Sequence, residues 1–549
     1  MRRPVQRKYA ASAAHGSRAS RGRCLFPARL HTGTQRKLVS RESPPCLIRK
    51  KFVRRENMMY KENGLGNRSM QYRKGLADRA FAAEWVRRSS VWALIAGTVA
   101  VMLAGCASEK QSASGLQQSQ KQDSVVVAIT SEPATLDPVQ GWGHGNTPLI
   151  QSTLIKYDSD MAFENDLAVS YHLDESGLVW TFRLRDDAKF TDGEAVTADD
   201  VAFTFETAKA AQASVDLTFL ENIEVKNDTT VVFTLSRPTS VFLNTVASVG
   251  IIPQHAYGSD YGTNPVGSGP WKFVQWNPQE QMILEANEDY YGAVPSIKNV
   301  TIVFMTEDAA FAAVQAGQVD AALTAATLAG TEIDGYRVAR VSSVDNRGFT
   351  LPMLPAEGRV TKSGYPIGND VTCNLEIRQA IAYAIDRGLV ADTALNGFAT
   401  PCYSENDGMP WNNSEVVIDT DVDYARKLLA DAGWADTDGD GIVERDGVEA
   451  SFTVLYPSGD SVRQAVAFAA SEQVAKIGIQ ITVEGTSWDD LSKRMFSEGV
   501  MMGWGAANPY ESYCLYQSAG AFKDDFYNPE GYQSEETDQY LSAAMEALT

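Results

Sequence analysis

Val91 to Ala104, "VWALIAGTVAVMLA", is an unbroken run of 14 apolar or small residues. It divides the chain into two stretches of opposite chemistry. Residues 1–105 hold 23 Lys and Arg against 5 Asp and Glu, roughly +18; the rest hold 26 against 64, roughly −38. The run is short for a membrane span, which takes about 20 residues. With Arg87 and Arg88 before it, it fits the h-region and basic n-region of a signal peptide, assigned to 87–105. The soluble fold therefore belongs to the acidic stretch that follows. So acidic a body repels phosphate, which excludes nucleic acid as a partner. Its self-repulsion favours a soluble monomer.

The run stops at Leu103-Ala104-Gly105-Cys106, which resembles a bacterial lipobox. The resemblance implies that Cys106 is acylated on sulfur and becomes the mature N-terminus. Acyl chains would then hold the protein at the outer face of the cell membrane without spanning it. Residues 106–122, rich in Ser and Gln, read as a flexible tether. The competing reading is a buried core helix that ends in cysteine. Residues 1–86 are Arg-rich with little apolar periodicity. They read as an over-extended gene start, with Met59 or Met70 the natural beginnings, or as a disordered basic tail.

From Ser124 the pattern is mixed strand and helix, which argues an α/β fold. "VVVAIT" (125–130) reads as a short buried strand. In Val179–Leu184, Trp180, Phe182 and Leu184 alternate with Val179, Thr181 and Arg183, as in a half-buried strand. Thr197 before Ala198-Asp199-Asp200 predicts an N-cap and a helix. Strands are expected over 229–238 and twice within 264–287. Further on, 374–390 and 421–434 read as helices, the first stopped by Asp386-Arg387-Gly388 and the second by Gly433. A strand near 450–458, a helix ending at Gly478 and another strand follow.

Several of these segments are similar to the family 5 extracellular solute-binding proteins of ABC importers, which take up peptides or nickel complexes. They are "WTFRLRDDAKFTDGEAVTADDVAFTF", "GSGPWKFVQW…EANEDYYG", "EIRQAIAYAIDRGLV", "YARKLLADAGW" and "GWGAANPYESY", in that order. The resemblance runs from about Ser124 to the end. It implies a two-lobed clamp of the periplasmic-binding-protein type (type II, the large peptide-binding class), hinged between the lobes. The first lobe is expected over 123–342 and 501–549, with the second inserted at 343–500. Ligand sits between them, closure is a population shift, and the closed form docks on a permease whose ATPase subunits do the work. Members usually continue beyond the helix near "ETDQYLSAAMEAL", so a first lobe lacking part of its core is expected here.

Aromatic side chains with polar edges suit a wet, permissive peptide cleft. The ligand-binding candidates are Trp142 and His144 in "QGWGHGN", Arg347 in "SSVDNRGF", and Trp504, Asn508, Tyr510 and Tyr513 in "GWGAANPYESY". Arg347 suits a ligand carboxylate. Many peptide-binding members carry an Asp after the Trp that pairs with the peptide amino group; here Ala506, Ala507 and Asn508 stand there. The Arg that nickel-type members carry before "TVASVGIIPQH" is absent too. Peptide remains the first choice, with a nickel complex or another small solute as the alternative.

Cys373 and Cys402 bracket the 374–390 helix outside the cytosol, and a disulfide between them is expected. "DTDGDGIVE" (436–444) matches a calcium loop at its first positions but offers Gly447 where a bidentate Glu belongs. It reads as a solvated turn. Only His144, His172 and His255 lie in the acidic body, which argues against a histidine-rich metal site. No cofactor, metal or catalytic residue is expected. An exported hydrolase stays open as another class, although no Gly-x-Ser-x-Gly elbow occurs. So does a surface receptor for a peptide signal.

Overall fold

The structure, a computed structural model, describes residues 123–548 apart from 144–148, 214, 506 and 524. The signal peptide, Cys106, the tether and His144 lie outside the described residues. No helix among the described residues is long and apolar enough to cross a membrane.

Three sheets organise the chain. In the first, Ser124–Ile129 runs parallel to Asn299–Phe304 and to the short Ala321–Ala322; Gln281–Ala286 and Trp271–Asn277 extend it antiparallel. The second is antiparallel throughout, in the order Ala168–Leu173, Val179–Leu184, Thr230–Leu235, Leu220–Asn227. The expected alternation is present: Phe182 and Leu184 are buried while Arg183 faces out. Phe233 meets Phe182 and Phe242 edge to face at 5.6 and 5.5 Å within this core. The helix Ala198–Ala211 opens where Thr197 predicted it. The buried Asp200 carboxylate accepts from Thr197 N at 2.9 Å and from Gln254 N at 2.9 Å, so the cap also ties the helix to a distant loop.

The third sheet has the order Gly348–Thr350, Gly499–Met502, Ser451–Pro457, Gln480–Thr486. Around it a separate core gathers Ile377, Ala380, Ile381 and Ala384 with Leu429, Trp434 and Val454. Two cores with their own sheets give the molecule two lobes. Gly348–Thr350 pairs antiparallel with Gly499–Met502, Phe349 opposite Met501. The chain thus enters and leaves the second core along neighbouring strands.

Two expectations need correction here. The helix over 374–390 is two helices, Leu375–Ala384 and Arg387–Ala394. Asp386 does not stop the first; its carboxylate accepts from Leu389 N at 2.9 Å and caps the second. The second correction concerns the cysteines. Cys373 and Cys402 are free thiols. Cys373 stands in the turn before Leu375–Ala384 with its Sγ 3.4 Å from the Asp370 carbonyl. The segment carrying Cys402 is held elsewhere, by the Arg387 guanidinium over Tyr403 and by Asp407 accepting from Tyr403 N.

Gly433 and Gly478 end their helices with φ of +88° and +81°. At Gly478 a Cβ would also stand 2.7 Å from Val443 Cγ1, so glycine is needed twice over.

Candidate functional site

Beyond the paired crossing strands, Asn346 N donates to the Trp504 carbonyl at 2.8 Å. This link brings residues near Arg347 and residues near Trp504 to one place. A cavity of about 2020 Å³ opens there. Its walls come from the first sheet (Val127, Ile129), from both helices around Asp386, and from the crossing strands.

Of the predicted ligand residues, Arg347 and Trp504 line this cavity, and Trp142, Asn508, Tyr510 and Tyr513 do not. Arg347 Nη1 pairs with Asp345 at 2.6 Å, while its Nε is shielded without a partner. Trp504 stacks on Tyr527 with centroids 5.0 Å apart. Trp142 donates its indole N–H to Gln151 Oε1 at 3.0 Å and packs on a small core with Leu136 and Ile150. Asn508 Oδ1 accepts from Tyr510 N at 3.0 Å, at the start of the helix Tyr510–Tyr516. Tyr510 stacks on Tyr513 and points its hydroxyl to Asp216 at 3.3 Å. Burial, with the nearby Asp216 charge, pushes that phenol well above its ordinary range.

The helix Tyr510–Tyr516 is anchored on both sides. Glu405 accepts from Tyr516 Oη at 2.8 Å and from Ser512 Oγ at 3.0 Å, which joins it to the loop after Cys402. Just before it, Tyr157 donates its hydroxyl to the Ala507 carbonyl at 2.6 Å.

Sequence reasoning missed Glu405, Arg378, Arg387 and Glu530, all on the cavity wall. Arg378 is a polar position of a helix expected from its apolar face, and Arg387 belongs to the Asp386-Arg387-Gly388 stretch expected to stop that helix. Glu530 lies in "NPEGY". No local pattern marks it. Asp436, Asp438 and Asp440 do form an exposed cluster, with ligand atoms within 4.8 Å. Their oxygens already serve the loop's own amides, such as Gly441 N to Asp436 at 3.0 Å and Ile442 N to Asp440 at 2.8 Å.

Two lobes around a large, mixed-polarity cavity make a clamp for a solute. Comparison with known proteins agrees. The model of "Bacterial extracellular solute-binding proteins, family 5 Middle" matches residues 162–525. Protein XP55 of Streptomyces lividans is 33% identical over 440 residues, covering 77% of this chain and 78% of that protein. The oligopeptide-binding protein AppA of Bacillus subtilis is 28% identical over 478 residues, covering 81% and 86%. Among solved structures, NikZ from Campylobacter jejuni in complex with Ni(L-His) superposes with a TM-score of 0.66 at 26% identity, covering 78% of this chain and 87% of that one. The chain belongs to the family 5 bacterial extracellular solute-binding proteins. It is a transport binding protein of exported type.

Proposed function

We propose that this chain is the substrate-binding lipoprotein of an ABC importer, that it captures peptides in the cavity between residues near Arg347 and Trp504, and that it passes them unaltered to a permease. The observation that carries the reading is the size of the cavity. At about 2020 Å³ it exceeds the roughly 300–1000 Å³ of ordinary small-molecule pockets. An extended peptide of several residues uses such a volume. Hinge closure between a first lobe over 123–342 and 501–549 and an inserted lobe over 343–500 buries the ligand. The lipid on Cys106 raises the concentration of the receptor near its permease. Similarity to AppA supports the reading.

A nickel complex is the second reading, and the observation in its favour is the higher TM-score with NikZ, 0.66 against 0.57 for AppA with its nonapeptide. The described lining holds no histidine, so such a complex would be met by carboxylates and aromatic faces. Mass spectrometry of what co-purifies with the full chain separates the two. A set of short peptides is expected. A nickel adduct without peptide would overturn the first reading.

A further inference from the structure

One carboxylate on the cavity wall has a charge that nothing described answers. Glu530 lies after the helix Tyr510–Tyr516; its carbonyl accepts from Met353 N at 2.9 Å and its side chain lines the cavity. Its Oε2 is shielded from solvent and has no hydrogen-bond partner. The nearby acid is settled, because Glu405 accepts from both Tyr516 and Ser512. Several cations of the same wall are held by other groups. Arg347 pairs with Asp345, Arg378 donates to the Thr372 carbonyl at 2.6 Å, and Arg387 lies over Tyr403. Burial pushes the Glu530 carboxyl up to about 7, as expected of a charge without a counterion.

We propose that Glu530 is the cation-recognising group of the cavity and receives a primary ammonium group of the captured ligand. The inference deepens the peptide reading and rests on it for the ligand class: peptides with an accessible amine, terminal or on a lysine. An ammonium brings three donors and no acceptor, and against a desolvated carboxylate its hydrogen bonds are charge-assisted. An uncharged ligand leaves Glu530 as unanswered as the empty cavity does, so discrimination follows from the cost of that buried group.

The test is calorimetry on the full chain with tetraalanine, N-acetyl-tetraalanine and an N-acetylated tetrapeptide containing one lysine. Wild type is expected to bind at least one amine-bearing probe tenfold or more tightly than N-acetyl-tetraalanine. Glu530→Gln should remove that preference while leaving the affinity for N-acetyl-tetraalanine, and so the fold, intact. Glu530→Asp should keep part of the preference. A preference that survives Glu530→Gln, or wild type that binds all three probes equally, overturns the inference and leaves the peptide reading standing. If no peptide binds, 1,4-diaminobutane becomes the probe. Thermal stabilisation of wild type but not of Glu530→Gln would then uphold the ammonium site and overturn the peptide reading; stabilisation of neither would overturn both.

Discussion

Tyr157 and Ala507 are 350 positions apart in the chain and are joined by a hydrogen bond of 2.6 Å. Asn244 Nδ2 reaches both, at 2.9 Å to the phenol oxygen and 3.3 Å to the carbonyl. Burial pushes the phenol up to about 12, against the opposing effect of Asn244, so the proton stays on Tyr157 to donate. This knot fixes the segment after Trp504 on the strand Ile155–Tyr157. Tyr157→Phe removes the donor but leaves Asn244 on the carbonyl. A loss of about 1 kcal/mol is expected, read as a lower denaturation midpoint with an unchanged m-value. An unchanged midpoint would show that the knot contributes nothing.

Arg347 faces the cavity with a shielded Nε that lacks a partner, although Asp345 holds its Nη1. If it meets a ligand carboxylate, Arg347→Ala should weaken peptide binding about 10- to 100-fold, the range for a hydrogen bond to a charged group. The melting temperature should change little, since the ion pair with Asp345 is partly exposed. Equal affinity for a peptide acid and its C-terminal amide in wild type would remove Arg347 from this role.

The free thiols of Cys373 and Cys402 make a plain prediction. A bridge would typically be worth 2–4 kcal/mol. The double variant Cys373→Ser, Cys402→Ser should therefore melt within a degree or two of wild type under non-reducing conditions. A large drop confined to non-reducing conditions would restore the disulfide that the sequence suggested.

Glu530 also shapes stability against pH. Its folded value is raised from 4.5 to about 7, by burial first. The folded state therefore holds this proton more tightly than the unfolded one. The penalty is absent below 4.5, grows as pH rises, and is complete above 7, where it reaches about 3 kcal/mol. Asp137 and Asp166, raised chiefly by burial and opposed by Tyr257 and Tyr291, act in the same direction. Unliganded wild type should lose stability between pH 4.5 and 7, and Glu530→Gln should lose less. Parallel pH profiles for the two proteins would contradict the buried, unpaired state of Glu530.

The parts of this fold that were legible in the sequence are those set by neighbours along the chain. Thr197 with Asp200, the alternation around Phe182, and the glycines at 433 and 478 each carry their signal within one turn or strand. Asp386 was misread because the same residue type serves as a breaker and as an N-cap. Only the helix that follows decides between them. The site was less legible. Arg347 and Trp504 stood out by residue type, but the environment of Glu530 and Glu405 comes from partners over 100 residues away, such as Met353 and Tyr516. Tyr510 looked like a cleft aromatic; its partner Asp216, 294 positions away, holds its hydroxyl outside the cavity lining.

The central claim is that two lobes close over a solute in the cavity beside Arg347 and Trp504. Small-angle scattering of the full chain, with and without the peptides recovered from it, tests this most directly. The radius of gyration should fall on saturation, and the peptides should be recovered uncleaved. An identical scattering profile at saturation would contradict the clamp, and cleaved peptides would contradict the assignment as a binding protein.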